Sequence, residues 1–381
     1  MKYLTKYILK GILIIIVVVV LVVLAYVLYV VVDYNRIPDN TELTINKATD
    51  VDSIESMGQV PLGTELCITT YNVGFGAYSQ DFSFFMDGGK YSRAFDEEHV
   101  LDNTKGALTV IKNQEVDFAL FQEVDEDSDR SYHVNQREMF EEAFADFDNV
   151  YAVNFHSAYL MYPLTSPHGK SNSGIQTFSK YEIESALRRK FPISDAFPDK
   201  FFDLDRCYSI TRILTDKPGK YLCIYNVHLS AYTGDDSIRN EQLKMLMEDM
   251  KNDYVAGNYV ICGGDFNHDM LGNSDEVFAN EKTGFNWTNP FPTEMIPNNF
   301  NIGINSLSDK EKTELAATCR NTDKEYSKGE NEVWILDTFI VSDNIEINEY
   351  INIDAEFKYS DHNPVRMKFT LLDNDETESS K

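Results

Sequence analysis

Apolar positions along this chain fall into two regimes, and the first is a single unbroken run. The 22 residues from Gly11 to Val32 carry no charge and are almost entirely Ile, Val and Leu. As a helix rising roughly 1.5 Å per residue, the run reaches across the roughly 30 Å hydrocarbon core of a bilayer. A cleaved signal peptide is the alternative reading. Its apolar region is usually about 7 to 15 residues long and ends at a small-residue cleavage site, which this run lacks. Lys2, Lys6 and Lys10 precede the run, and Asp33 and Arg36 follow it. The positive-inside rule then makes residues 1–10 a cytoplasmic N-terminus, 11–32 a single-pass transmembrane helix in the plasma membrane, and the remainder extracellular.

Beyond a polar stretch over residues 33–65, which reads as a linker, the apolar residues come in short β-rich runs. The clearest are Leu66–Val73, Asp117–Gln122, Val150–His156, Cys207–Leu214, Tyr221–Leu229, Asn258–Gly263, Trp334–Val341 and Val365–Leu371. Helical spacing appears at Leu101, Leu108 and Ile111, and again at Leu243, Leu246, Met247 and Met250 after the cap-like cluster Asp235, Asp236, Ser237. Strands mixed with helices predict an α/β sandwich. No Pro/Gly/Ser-rich linker interrupts residues 66–371, which read as one domain, and 372–381 form an acidic tail.

Composition narrows the chemistry. The chain of 381 residues has 34 Lys and Arg against 62 Asp and Glu, a net charge of −28; removing the three lysines of the first 32 residues leaves −31 on the exterior part. Such a balance argues against a broad phosphate-gripping surface and favours a multivalent cation that offsets local repulsion. Five cysteines are an odd number and no Cys-x-x-Cys pair occurs, so neither a disulfide framework nor a zinc site is expected. Cys67, Cys207, Cys223 and Cys262 lie in apolar runs and read as buried thiols, whereas Cys319 looks loop-borne. Gly-x-Ser-x-Gly, the phosphate-binding Gly-x-x-x-x-Gly-Lys loop and His-Glu-x-x-His are all missing, which removes support for acyl transfer, nucleotide-driven work and zinc proteolysis.

Six segments place polar, proton-handling or metal-capable side chains at or just beyond strands. They are Thr70-Tyr-Asn72-Val, Phe121-Gln-Glu123-Val, Asn226-Val-His228-Leu, Gly263-Gly-Asp265-Phe-Asn267, Leu336-Asp337-Thr, and Ser360-Asp361-His362-Asn-Pro-Val365. Any one alone is weak, since an Asp or Glu after a strand is commonly a turn or cap residue. A carboxylate directly after the apolar run Phe118–Gln122 would still need partners or a cation. Asp265 and Asn267, two apart, would point the same way if their strand continued.

Together and in this order the six segments resemble the endonuclease/exonuclease/phosphatase superfamily over roughly residues 66–371. The resemblance implies a four-layer α/β sandwich of two packed mixed β-sheets flanked by helices, and a metal-dependent phosphoester hydrolase. It implies that Glu123 and Asp361 bind the divalent metal with Asn72 beside them, hard oxygen donors that suit Mg²⁺, with Mn²⁺ or Ca²⁺ as substitutes. It further implies that Asp265 orients or deprotonates the attacking water and that Asn267 holds a nonbridging oxygen. Asp337 would pair with His362 to favour its protonated form, and His228 would contact the scissile phosphate or protonate the leaving group.

Several features depart from the family. The segment Gly74–Gly89 is long and aromatic; Tyr78, Phe82, Phe84, Phe85 and Met86 either stack on bases, grip a lipid-like group, or simply cover the core. A second insert, from His268 to about Val333, contains Arg320, a candidate for binding a substrate phosphate. Thr338 stands where the family usually has Tyr or Arg. Asn172-Ser-Gly-Ile175 and Phe178 to Ile183 resemble the family's central strand and turn. The expected function is a membrane-anchored phosphodiesterase acting on nucleic acid. A sphingomyelinase-like lipid phosphodiesterase and an inositol or sugar phosphate phosphatase are the alternatives, with a non-catalytic exterior binding module on the same fold as the alternative of another class. The partners implied are a phosphoester substrate, nucleic acid or phospholipid headgroup, and the bilayer through the N-terminal helix; no protein partner is predicted.

Overall fold

Side chains alternate along the strand Phe118–Asp125: Phe118 and Leu120 turn toward a facing sheet, whereas Ala119 and Phe121 turn toward helices. A strand buried on both faces in this way belongs to a layered sandwich. The computed structural model describes residues 2–49, 58–196, 200, 205–231, 236–280 and 288–373.

In chain order the strands are β1 (Thr41–Glu42), β2 (Ile45–Asn46), β3 (Glu65–Asn72), β4 (Phe118–Asp125), β5 (Asp148–Leu160), β6 (Gly169–Ser179), β7 (Ile183–Lys190) and β8 (Cys207–Leu214). They continue with β9 (Tyr221–His228), β10 (Tyr259–Asp265), β11 (Phe300–Ile302), β12 (Cys319–Arg320), β13 (Val333–Trp334), β14 (Asp337–Ser342), β15 (Ile345–Asn352) and β16 (Val365–Leu371). One sheet runs β1-β7-β8-β9-β10-β14-β11 and the other β15-β16-β3-β4-β6-β5-β2, and each mixes parallel with antiparallel pairs. The long helix α1 (Lys2–Asp33) precedes them.

The largest apolar cluster lies between the sheets, joining Ile68, Phe118 and Leu120 of one to Ile224, Val260 and Phe339 of the other. Outside the second sheet pack α2 (Glu97–Lys112) and α3 (Gln136–Ala143), through Leu108, Ile111 and Phe140 against Tyr71 and Phe121. Outside the first lies α4 (Asp236–Val255), whose Asp253 accepts from Tyr225 Oη at 2.6 Å. The Asp96 side chain caps α2 by accepting from His99 N. The expected cap residue Asp235 lies outside the described residues, as does the tail beyond Asp373.

Some elements differ from the expectation. The run Trp334–Val341 is not one strand: β13 and β14 are separated at Ile335 and Leu336, which turn the chain so that Asp337 opens β14. The pattern does not mark β7 or β15, because their alternation is masked: β7 is rich in charge, and β15 carries a bulge between Ile347 and Glu349. The segment 33–65 is not wholly a linker. β1 pairs with β7 at the edge of one sheet and β2 with β5 at the edge of the other, so this stretch straps both. Cys319 is not loop-borne but buried in β12, where it bridges to His362.

Candidate active site

Strand register assembles the centre. Asp265, the last residue of β10, lies opposite His228 on the parallel neighbour β9 and opposite Asp337 on the antiparallel neighbour β14. A parallel and an antiparallel partner on either side thus bring three separate motifs to one end of one sheet. The Gly-Gly step before Asp265 permits this close pairing. Gly264 has φ +146°, and a Cβ there would meet Val227 O at 2.0 Å, so only glycine fits. From the other sheet come Asn72, ending β3, and Glu123 in β4.

Below the site a buried polar network ties the sheets together. Gln122 Nε2 donates to Asn226 Oδ1 at 2.8 Å, and Asn226 Nδ2 donates to Gln176 O at 3.0 Å and Thr177 Oγ1 at 3.2 Å. With their donors engaged, these amides keep the strand ends in fixed relation.

Glu123 is placed by a defect in the strand. Between Phe121 and Val124 the β4–β6 register slips by one residue, and Glu123 takes φ +55°. Simple alternation would put Glu123 on the helix side with Ala119 and Phe121. The bulge instead sends its carboxylate to Asn72, whose Nδ2 donates to Glu123 Oε1 at 3.3 Å and to Asp265 Oδ2 at 3.1 Å. Asn72 Oδ1 accepts from Gly74 N at 3.1 Å. Asn72 therefore bridges two carboxylates through its N–H groups.

Asp265 is buried among nitrogen donors. Its Oδ2 is 3.5 Å from His228 Nε2 and 3.7 Å from His362 Nε2, and its Oδ1 accepts from Asn267 N at 2.9 Å. Burial, opposed by the His362 charge, pushes its carboxyl up to about 7. The strand does not continue to Asn267, which sits at φ +49°; its Nδ2 donates to Leu229 O at 2.7 Å and lies 3.4 Å from Asp265 Oδ2. Asn267 thus buttresses Asp265 and the following turn.

The two histidines differ in charge preference. His362 Nδ1 lies 2.7 Å from Asp337 Oδ2, and although burial works against its charge, Asp337 beside it holds the imidazole well above its ordinary range. His228 is buried without a carboxylate at hydrogen-bonding distance, and burial holds it well below that range. Among the described residues its Nδ1 has no hydrogen-bond partner.

His228, Asp265, Asn267 and His362 line a cavity of about 410 Å³ that also contains Glu123, Asp361, Arg130 and Arg206. Asp361 is half-buried, and burial raises its carboxyl to about 6 against the pull of His362, with Glu123 adding to the rise. Two carboxylates so placed fit a hard divalent cation, which would replace the water each has lost. Asp265, Asp337 and His362 form a second metal-capable group, with ligand atoms within 4.8 Å of one another. The 2.7 Å contact inside that group is the length of a charge-assisted hydrogen bond.

The aromatic segment divides its roles. Phe75, Tyr78, Phe82 and Phe84 are buried in a cluster of their own with Val100 and Val134, so they cover the core, while Phe85 and Met86 remain partly or largely exposed. Arg320 lines the cavity, as expected of a candidate phosphate ligand, but its guanidinium is engaged by backbone carbonyls. It is 1% exposed, and its Nη2 donates to the carbonyls of Ser79 at 2.9 Å and Phe82 at 3.2 Å, clamping that segment in place. Sequence reasoning missed two cations that line the cavity, Arg206 and Arg130, the latter paired with Asp125 at 2.8 Å and 3.9 Å over the Phe75 ring. The only sequence signal of Arg130 is position, seven residues after Glu123 in an acidic stretch.

The two sheets thus meet at a carboxylate and histidine centre. The chain matches the Endonuclease/Exonuclease/phosphatase family over residues 69–362 and belongs to it. No curated protein matches it in sequence. Among solved structures it is similar to an endonuclease/exonuclease/phosphatase from Beutenbergia cavernae, with TM-score 0.56 and 15% identity over 81% of this chain and 72% of that one. It is also similar to ANGEL2, a 2′,3′-cyclic phosphatase solved with adenosine-2′,3′-vanadate, with TM-score 0.53 and 15% identity over 87% of this chain and 99% of that one. D. rerio TDP2 complexed with a single-strand DNA product follows, with TM-score 0.52 and 13% identity over 81% of this chain and 99% of that one.

Proposed function

We propose that the chain is a membrane-anchored phosphodiesterase that uses a divalent cation, Mg²⁺ first, held by Glu123 and Asp361. The observation carrying this reading is the Asp265 carboxylate, set between two histidines of opposite charge preference in the cavity that Glu123 and Asp361 share. The cation neutralises phosphoryl charge when bound. Asp265, with its carboxyl raised to about 7, is poised to orient water and take its proton near neutral pH. His362, kept charged by Asp337, directs a positive N–H toward the phosphoryl oxygens. Neutral His228 contacts the phosphate from the opposite side. Asn72 and Asn267 hold the Glu123 and Asp265 carboxylates in place, and Arg130 adds positive charge to the wall.

Nucleic acid is the first substrate class, supported by the shared fold of the DNA-bound TDP2 structure. A lipid headgroup phosphodiester is the second, favoured by the apolar wall of Phe84, Phe85, Met86, Phe155 and Tyr162. The helix α1 anchors the protein in the plasma membrane, with its N-terminus cytoplasmic and the catalytic domain outside. The test is turnover by the full chain on DNA, RNA, sphingomyelin vesicles and inositol phosphates, with Mg²⁺ and then with chelator. Chelator-sensitive turnover lost in Asp265→Asn and His362→Ala is the expected result, and turnover retained in either variant overturns the roles.

A further inference from the structure

Strands β5 and β6 form a long hairpin whose tip, residues 161–168, stands beside the last turns of α1. From Asn149 to Gly169 there is no Asp, Glu, Lys or Arg, in a chain where 25% of residues are charged. At the tip the apolar side chains face outward: Met161 is 45% exposed, Tyr162 69% and Leu164 82%. A surface loop gains nothing from this in water, and clustered exposed apolar groups mark a contact surface.

The base of the tip is tied to α1. Tyr26 Oη donates to Tyr159 O at 3.1 Å and accepts from Met161 N at 3.3 Å, and Tyr29 Oη accepts from Tyr159 N at 3.1 Å. Tyr26 precedes the helix end at Asp33 by seven residues, about 10 Å along the axis at the α-helical rise. Past the helix, Arg36 is held by donating to Phe191 O at 3.0 Å. With Asp33 and Arg36 in the headgroup layer, the tip lies level with Tyr26, at the boundary between headgroups and acyl chains where tyrosine side chains are enriched.

We propose that the tip of the β5–β6 hairpin is a second membrane contact, inserting Met161, Tyr162 and Leu164 into the same bilayer that α1 crosses. The proposal rests on the reading of α1 as a membrane anchor. Continuity with that helix makes the bilayer the occupant, because the base of the tip, Tyr159 to Met161, cannot leave the level of Tyr26 and Tyr29 without breaking three hydrogen bonds. Tyr162 and Leu160 also line the active-site cavity. Insertion therefore sets the cavity's apolar wall beside the headgroup layer.

The test uses the full chain in phosphatidylcholine vesicles whose acyl chains are brominated. All five native cysteines are buried, so a bimane fluorophore goes to a single introduced cysteine. Leu164→Cys reports the tip, Thr165→Cys repeats the measurement without removing an apolar side chain, and Val20→Cys reports the helix. Several-fold quenching at the tip and at Val20 supports the proposal. Quenching at Val20 alone leaves the anchor intact and overturns the hairpin contact. Quenching at neither overturns the anchor reading and the hairpin contact with it. A tip label shielded from water but not quenched shows a second copy of the chain covering it, and also overturns the proposal.

Discussion

Asp265 and Asp337 face each other in register across the β10–β14 pair, yet only Asp337 holds a histidine at hydrogen-bonding distance, His362 at 2.7 Å, while the nearest histidine nitrogen to Asp265 is 3.5 Å away. On the proposed mechanism, that difference separates an orienting carboxylate, Asp337, from Asp265, the one left to handle a proton.

Asp337→Asn keeps the shape and removes the charge that holds His362 protonated. Turnover falls by about 10²- to 10⁴-fold, the usual range for a positioned acid–base group, with KM little changed. The alkaline limb of the pH profile moves to lower pH, because His362 then loses its proton earlier. A kcat profile against pH checks both, and an unmoved limb would separate His362 from the chemistry.

Asp265→Asn removes a carboxylate whose burial disfavours its charged form. Activity is lost while the melting temperature at pH 8 rises, the opposite pairing from a variant that merely damages the fold. A thermal melt beside a turnover assay reads this. A lowered melting temperature with lost activity counts against the assignment.

In chelator, stability declines as pH rises. The Asp265 and Asp361 carboxyls, raised to about 7 and about 6 from an ordinary 3.8, contribute stability that is complete below pH 3.8 and lost as pH climbs through those values. His362, also raised, acts in the same direction, and His228, held low, opposes them. Mg²⁺ reverses the decline, by about 2.7 kcal/mol at a hundred times its Kd, and does so more at pH 8 than at pH 5, where protons compete for Asp361. Melts with and without Mg²⁺ at the two pH values test it. An equal gain at both would place the cation elsewhere.

Arg320→Ala strips the donors from the Ser79 and Phe82 carbonyls and costs roughly 2 to 4 kcal/mol. Limited proteolysis then cuts within residues 79–89 before the rest of the domain unfolds. Intact protein under the same digestion would mean the aromatic cluster holds that segment alone.

Much of this protein was legible as a linear pattern. The apolar run of α1 and the strands ending at Asn72, His228 and Asp265 follow from alternation and spacing, which are local properties; the order of the six segments was legible as a resemblance to the family. The Asp337–His362 pair was legible only through resemblance, since nothing periodic spans their 25-residue separation to bring them together. Other features depended on contacts between distant segments. Glu123 reaches the site through a bulge that reverses its alternation, and Arg320 turns to backbone carbonyls more than 200 residues away in sequence. β1 and β2 complete the sheet edges from a stretch too polar and short to read as strand. The uncharged hairpin tip acquires meaning only beside Tyr26 and Tyr29. Sequence periodicity determines which face a side chain takes within its own element; bulges, sheet edges and buried cations are decided by which other element arrives beside them, and only the tertiary structure specifies that.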